Sequence, residues 1–225
     1  MQILLLGPPG AGKGTQASRV AAHYGLPHIA AGELIRLHAR GSSALTEAVR
    51  PLVHTGNFLP TDVFVSLIKP HLLVAKEANG FVGDGLPRTL GQAEALDVIL
   101  GDLKTPLHLV FFLDIPDVTI ANRLRGRWTC PKCGRVYHED SAPSAAGFRC
   151  EYDDTHLQRR SDDDDPSVVA KRSIAYNQQF NSLLRYYGNC GLARRIDADA
   201  PIDVVFRAIV GAIEQWNDSV QLCFP

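Results

Sequence analysis

The chain has 225 residues, 23 Lys and Arg against 24 Asp and Glu, a formal net charge of −1 and 45% hydrophobic residues. Nothing in that balance marks a binder of nucleic acid or of acidic surfaces, and the apolar fraction suffices for a core in one large domain or one with insertions. No run approaches the roughly 18 apolar residues of a membrane span, and the first residues lack a basic start and a cleavage site, so a cytoplasmic protein without membrane partners is expected.

Gln2–Leu6 is a short apolar run, the shape of a buried parallel strand. A glycine-rich turn follows, then a helix over Lys13–Tyr24, a short strand at Pro27–Ala30 and a helix over Gly32–Arg40. Next come a helix at Thr61–Lys76, a strand at Gly80–Asp84, a helix at Thr89–Leu103 and the strand Leu107–Leu113. A helix at Asp117–Leu124 precedes a segment that breaks the rhythm. From Arg127 to about Arg160 the chain is rich in Cys, Pro and Gly with little helical period, as in a small inserted subdomain. Asp162–Asp165 reads as a solvated helix start before Pro166. Helices at Ser167–Tyr187 and Ile202–Trp216 flank a fifth strand at Ala193–Asp197, and Gln221–Pro225 reads as a tail. The alternation predicts an α/β fold, a five-stranded parallel sheet with helices on both faces, whose ligands bind at the carboxyl ends of the strands.

The sharpest feature is Gly7-Pro8-Pro9-Gly10-Ala11-Gly12-Lys13-Gly14-Thr15, between a strand and a helix, the context of a P-loop. Glycines let backbone N–H groups close around phosphate oxygens, the helix start adds a favourable dipole, and Lys13 brings a mobile positive charge. Gly10, Ala11, Gly12, Lys13, Gly14 and Thr15 are therefore the expected ATP cradle. Gly14 stands where Ser or Thr usually follows the lysine, and Thr15 comes one later. This Gly-Lys-Gly-Thr form resembles the nucleoside monophosphate kinases. Over nearly its full length the chain resembles the bacterial adenylate kinases with a zinc-binding lid.

The resemblance implies a P-loop NTPase fold and reversible, Mg²⁺-dependent in-line transfer from ATP to AMP by a monomer. It also implies a core of residues 1–30, 60–126 and 161–225, a mononucleotide flap at 31–59 and a lid at 127–160. Three further pieces carry it: Ala31-Gly32-Glu33-Leu34-Ile35-Arg36, Asp84-Gly85-Leu86-Pro87-Arg88-Thr89 with Gln92, and Arg123 and Arg127 with Arg160. Arg36 and Arg88 each follow a predicted strand, and arginine forks suit phosphate oxygens. By resemblance they hold the acceptor phosphate, with Ala31, Gly85 and Gln92 completing the AMP site. A carboxylate at Asp84 can hold Mg²⁺ directly or through waters. The family usually has Thr at the position of Ala31 and Phe at that of Leu86, and a larger residue than Gly83 is common. Ala31 points to UMP or CMP as the alternative acceptor.

Cys130-Pro131-Lys132-Cys133, Cys150 and Asp153 match a four-ligand zinc spacing with its last thiolate replaced by a carboxylate, a closed and therefore structural site. A Cys130–Cys133 redox pair and His138 as fourth ligand are the alternatives. Tyr137 and His138 resemble a family segment near the ATP base. By resemblance Arg123, Arg127 and Arg160 address the transferring phosphates, together with Lys13 and Arg88. Lys171 occupies the position of a further family arginine, with Arg172 beside it. A P-loop hydrolase without an acceptor, and a zinc-ribbon nucleic-acid module, are the readings from other classes. The acids Glu151, Asp153 and Asp154 argue against the second.

Overall fold

The computed structural model describes residues 1–39, 41–53, 57–141, 147–159, 163 and 166–223. Five parallel strands form the central sheet: β1 (Gln2–Leu6), β2 (His28–Ala30), β3 (Phe81–Asp84), β4 (Leu109–Asp114) and, after the insertion, β7 (Ala193–Asp197). Their spatial order is β2-β3-β1-β4-β7. Period-two alternation splits their side chains between two cores. Leu4, Leu6, Phe81, Val110 and Phe112 face one, and Ile3, Leu5, Val82, Leu109, Phe111 and Leu113 face the other. Burial on both faces is why β1 and β4 read as unbroken apolar runs.

Helices α4 (Thr61–Glu77), α5 (Leu90–Leu103) and α7 (Pro166–Asn189) supply the first core, while α1 (Lys13–Tyr24) and α8 (Ile202–Cys223) supply the second. The expected parallel sheet with two helical layers is thus present. The last helix continues to Cys223, so most of the segment read as a tail is helical. A Cβ on Gly83 would meet Leu4 Cδ2 at 2.7 Å, so a side chain there requires the buried Leu4 to shift.

Two pieces project over the carboxyl edge of the sheet. The first is α2 (Ala31–Ala39) packed on α3 (Ala44–Val53), a helix that the sequence reading did not separate. Arg50 on α3 donates to the Ala39 and Gly41 carbonyls at 3.3 and 3.1 Å, satisfying the orphan end of α2. The second follows α6 (Asp117–Arg125). It is an antiparallel pair of β5 (Arg127–Thr129) and β6 (Val136–His138), with Trp128 opposite Tyr137. Thr129 and Gln158 exchange backbone hydrogen bonds of 2.8 and 2.9 Å, closing this unit on itself. The two projections touch: a Cβ on Gly134 would lie 3.0 Å from the Glu33 carboxylate.

Candidate active site

The cleft under these projections lies at the ends of β1 and β3. Chain connections leave in opposite directions there, the place where open α/β sheets bind ligands. Its volume is about 670 Å³, within the range of small-molecule sites.

One wall is the turn after β1. Gly10 and Gly12 adopt φ of 82° and 86°, which residues with a side chain rarely reach. Gly12 caps α1 without any side-chain hydrogen bond, so the first N–H groups of that helix are left for an anion. Gly10, Ala11, Gly12, Lys13, Gly14 and Thr15 all line the cleft. Asp84 enters from the end of β3, and a Cβ on Gly14 would sit 3.1 Å from its Oδ2. The glycine in place of the usual Ser or Thr therefore leaves space at the carboxylate that could hold Mg²⁺. Lys13 folds back to donate to the Pro8 carbonyl at 2.7 Å. Burial pushes its pKa down to about 7, Asp84 opposes the shift, and Arg88, Arg172 and Arg127 add to it.

The opposite wall gathers Arg36 from α2 and Arg88 from the loop after β3. A Cβ on Gly32 would lie 3.3 Å from Arg36 Nη1 and 3.8 Å from Arg88 Nη2. Arg88 Nε donates to the Gly85 carbonyl at 2.9 Å, and Gly85 is left-handed with φ 64°. Gln92 does not line the cleft. It is 2% exposed, its amide donates to the Leu59 carbonyl at 2.8 Å and accepts from the Arg88 N–H at 2.8 Å. In this arrangement it fixes the Arg88 backbone, whereas the resemblance puts it in the AMP site. Ala31 is buried at the start of α2, while its neighbours Ala30 and Gly32 line the cleft.

The third wall belongs to α6, the β5–β6 unit and α7. Arg123 Nη2 donates to the Ala198 carbonyl at 2.9 Å, which aims it along the edge of β7. Arg127 makes a forked pair with Asp163, its Nε donating to Oδ2 at 2.6 Å and its Nη2 to Oδ1. Arg172 Nη1 lies 3.5 Å from the same Oδ1. The Asp163 side chain is only 2% exposed, so one member of the acidic run is a buried counter-ion and not part of a solvated face. Arg172, and not Lys171, lines the cleft. Lys171 is exposed, and the expectation placed on it moves one residue along. Arg160 lies outside the described residues. Tyr137, His138, Ala198, Ala200, Ile202 and Val205 complete the wall. The last four were missed because nothing distinguishes a pocket-lining Ala or Val from a core one in sequence.

In the β5–β6 unit, one ligand atom each from Cys130, Cys133, Cys150 and Asp153 lies within 4.8 Å of the others. Cys133 and Cys150 sulfurs are 3.6 Å apart, and Cys130 Sγ is 3.5 Å from Asp153. Bonds of about 2.3 Å at tetrahedral angles place ligand atoms roughly 3.8 Å apart, so this set fits zinc. The Cys133 N–H donates to Cys130 Sγ at 3.4 Å, supporting a thiolate. Desolvation works against charge on Asp153, yet the Thr155 hydrogen bonds hold its carboxyl below the usual range. Among the described residues His138 is outside the cluster.

A family model described as adenylate kinase matches residues 5–192. The adenylate kinase of Lachnospira eligens is 38% identical over 210 residues, 93% of this chain and 98% of that protein. Those of Symbiobacterium thermophilum and Methanothrix thermoacetophila are 38% and 37% identical over 213 and 217 residues. They cover 95% and 96% of this chain, and 98% and 100% of their own lengths.

Proposed function

The chain belongs to the adenylate kinase family and is a phosphotransferase, and we propose that it moves the γ-phosphoryl group of ATP reversibly to AMP, giving two ADP. The observation that carries this reading is one cleft with two anion sites. The glycine cradle of α1 faces the Arg36–Arg88 pair, and Lys13 stands with them. An acceptor phosphate oxygen is already anionic, so it attacks the γ-phosphorus in line without a general base, and the bond to the bridging oxygen of ADP breaks. Lys13, Arg88, Arg123, Arg127 and Arg172 stabilise the charge that develops, joined by Arg160 on the resemblance alone. Asp84 holds Mg²⁺, which neutralises phosphate charge when bound. Gly10 to Thr15 cradle the ATP phosphates, and Tyr137 and His138 lie by its base.

Water competes as acceptor, so the site closes before transfer. Residues 31–59 act as a flap and 127–160 as a lid, a reading supported by the approach of Glu33 to Gly134. Cys130, Cys133, Cys150 and Asp153 would hold a structural zinc that staples the lid, whose own apolar cluster centres on Cys130, Cys150 and Leu157. A monomer is implied by the resemblance alone. No helix among the described residues is long and apolar enough to cross a membrane, which is compatible with a cytoplasmic location.

The test is an acceptor screen with MgATP and AMP, GMP, CMP or UMP. Fast ADP formation with AMP alone is the expected result. Preference for UMP or CMP would overturn the acceptor, and equal ADP release without any acceptor would overturn the transfer.

Lys13 adds a prediction in pH. Its folded pKa, about 7, lies below its ordinary value of 10.5, so between those values the unfolded chain binds the extra proton. Stability in the absence of nucleotide therefore rises with pH across that window. Phosphate oxygens beside Lys13 favour the ammonium form, so ATP binding at pH 8 takes up a proton. Calorimetric titration in buffers of different ionisation enthalpy measures it. Uptake is expected in the parent chain and not in Lys13→Met, and no uptake in either would show that Lys13 is already charged.

A further inference from the structure

Tyr137 belongs to two sites at once. It lines the nucleotide cleft, and its hydroxyl lies 3.2 Å from Cys150 Sγ. A thiolate bound to a metal carries no proton and can only accept, so across this pair the phenolic O–H is the donor. The ring sits opposite Trp128 across the β5–β6 pair, among the apolar side chains that pack on Cys130, Cys150 and Leu157. A hydrogen bond to a ligand thiolate draws charge from the sulfur and fixes its orientation, and such outer partners commonly change metal affinity by about 10–100-fold.

We propose that Tyr137 is a positioning residue coupling the metal knuckle to the nucleotide cleft: its O–H donates to the Cys150 thiolate, so metal loading fixes the wall beside the ATP base. The inference rests on reading Cys130, Cys133, Cys150 and Asp153 as zinc ligands and the lid as the cover of the ATP site. Because the hydroxyl bonds a metal ligand directly, a shift of the β6 wall on nucleotide binding reaches the metal, and loss of the metal frees the wall.

The test uses the full chain and its Tyr137→Phe variant, which keeps the ring and removes one oxygen. Metal content is measured first, and one zinc per chain is expected in both. If neither holds zinc, the zinc reading falls and takes this inference with it. With zinc present, the variant should release it about tenfold faster to a chromogenic chelator, and the ratio of KM for ATP to KM for AMP should rise several-fold. In the cobalt-substituted proteins the thiolate-to-metal absorption band should respond to ATP in the parent and not in the variant. Equal release rates, or the same response of the band to ATP in both proteins, would overturn the coupling and leave the zinc assignment standing.

Discussion

Replacing Lys13 with methionine should lower kcat by about 10²–10³-fold, equivalent to roughly 2.7–4 kcal/mol of transition-state stabilisation, while the chain remains folded. Lys13 is half-buried in the cleft, placed beside Asp84 and repelled by Arg88, Arg172 and Arg127. Its stem is as long and unbranched as methionine's, so packing under the glycine turn survives the change. The charge does not, and the surrounding cations reach the phosphates from other sides. Removing a desolvated ammonium from among arginines relieves repulsion, so thermal stability without nucleotide should hold or rise. Loss of rate without loss of stability separates this role from a structural one. Steady-state rates at saturating ATP and AMP, alongside thermal melts, measure both. A variant keeping most of its kcat would sink the assignment.

The cradle was legible because its chemistry is local. A strand, two left-handed glycines and a helix start are adjacent in sequence, and one motif names them all. The alternating strands were legible for a similar reason, since burial on both faces leaves continuous apolar runs such as Leu109–Leu113. The metal cluster was readable from spacing, because a knuckle closes over a few residues. Adjacent positions on one helix were not. Lys171 and Arg172 differ by about 100° around α7, and only packing decides which one faces the cleft. Gln92 shows a second limit. Its side chain could read a base edge or satisfy backbone groups, and the Leu59 carbonyl that holds it comes from 33 residues away. The helix α3 went unread because Pro51 interrupts its pattern, although proline sits there near the end of the helix.

Asp163 was the least legible residue, and its removal carries the second large prediction. In a run of four acids the ordinary expectation is solvent. Here one carboxylate, 2% exposed, bonds Arg127 through both oxygens and lies within 3.5 Å of Arg172. Asp163→Ala leaves the Arg127 and Arg172 guanidinium groups facing each other without the carboxylate between them. Breaking a buried pair from one side costs about 3–5 kcal/mol, which for a chain of this size lowers the melting temperature by roughly 10 °C. The rate should fall about 100-fold as well, because arginines that shift by an ångström no longer meet the transferring group. Asp163→Asn keeps the shape and one acceptor, so it should fall between the two. The charge argument makes a further demand. ATP supplies the missing anions, so the stability deficit of Asp163→Ala should shrink when ATP is bound. A deficit of the same size with and without ATP would mean that Asp163 merely packs the start of α7. A deficit that closes would show that its carboxylate holds, in the free protein, the arginines that the phosphates hold in the complex.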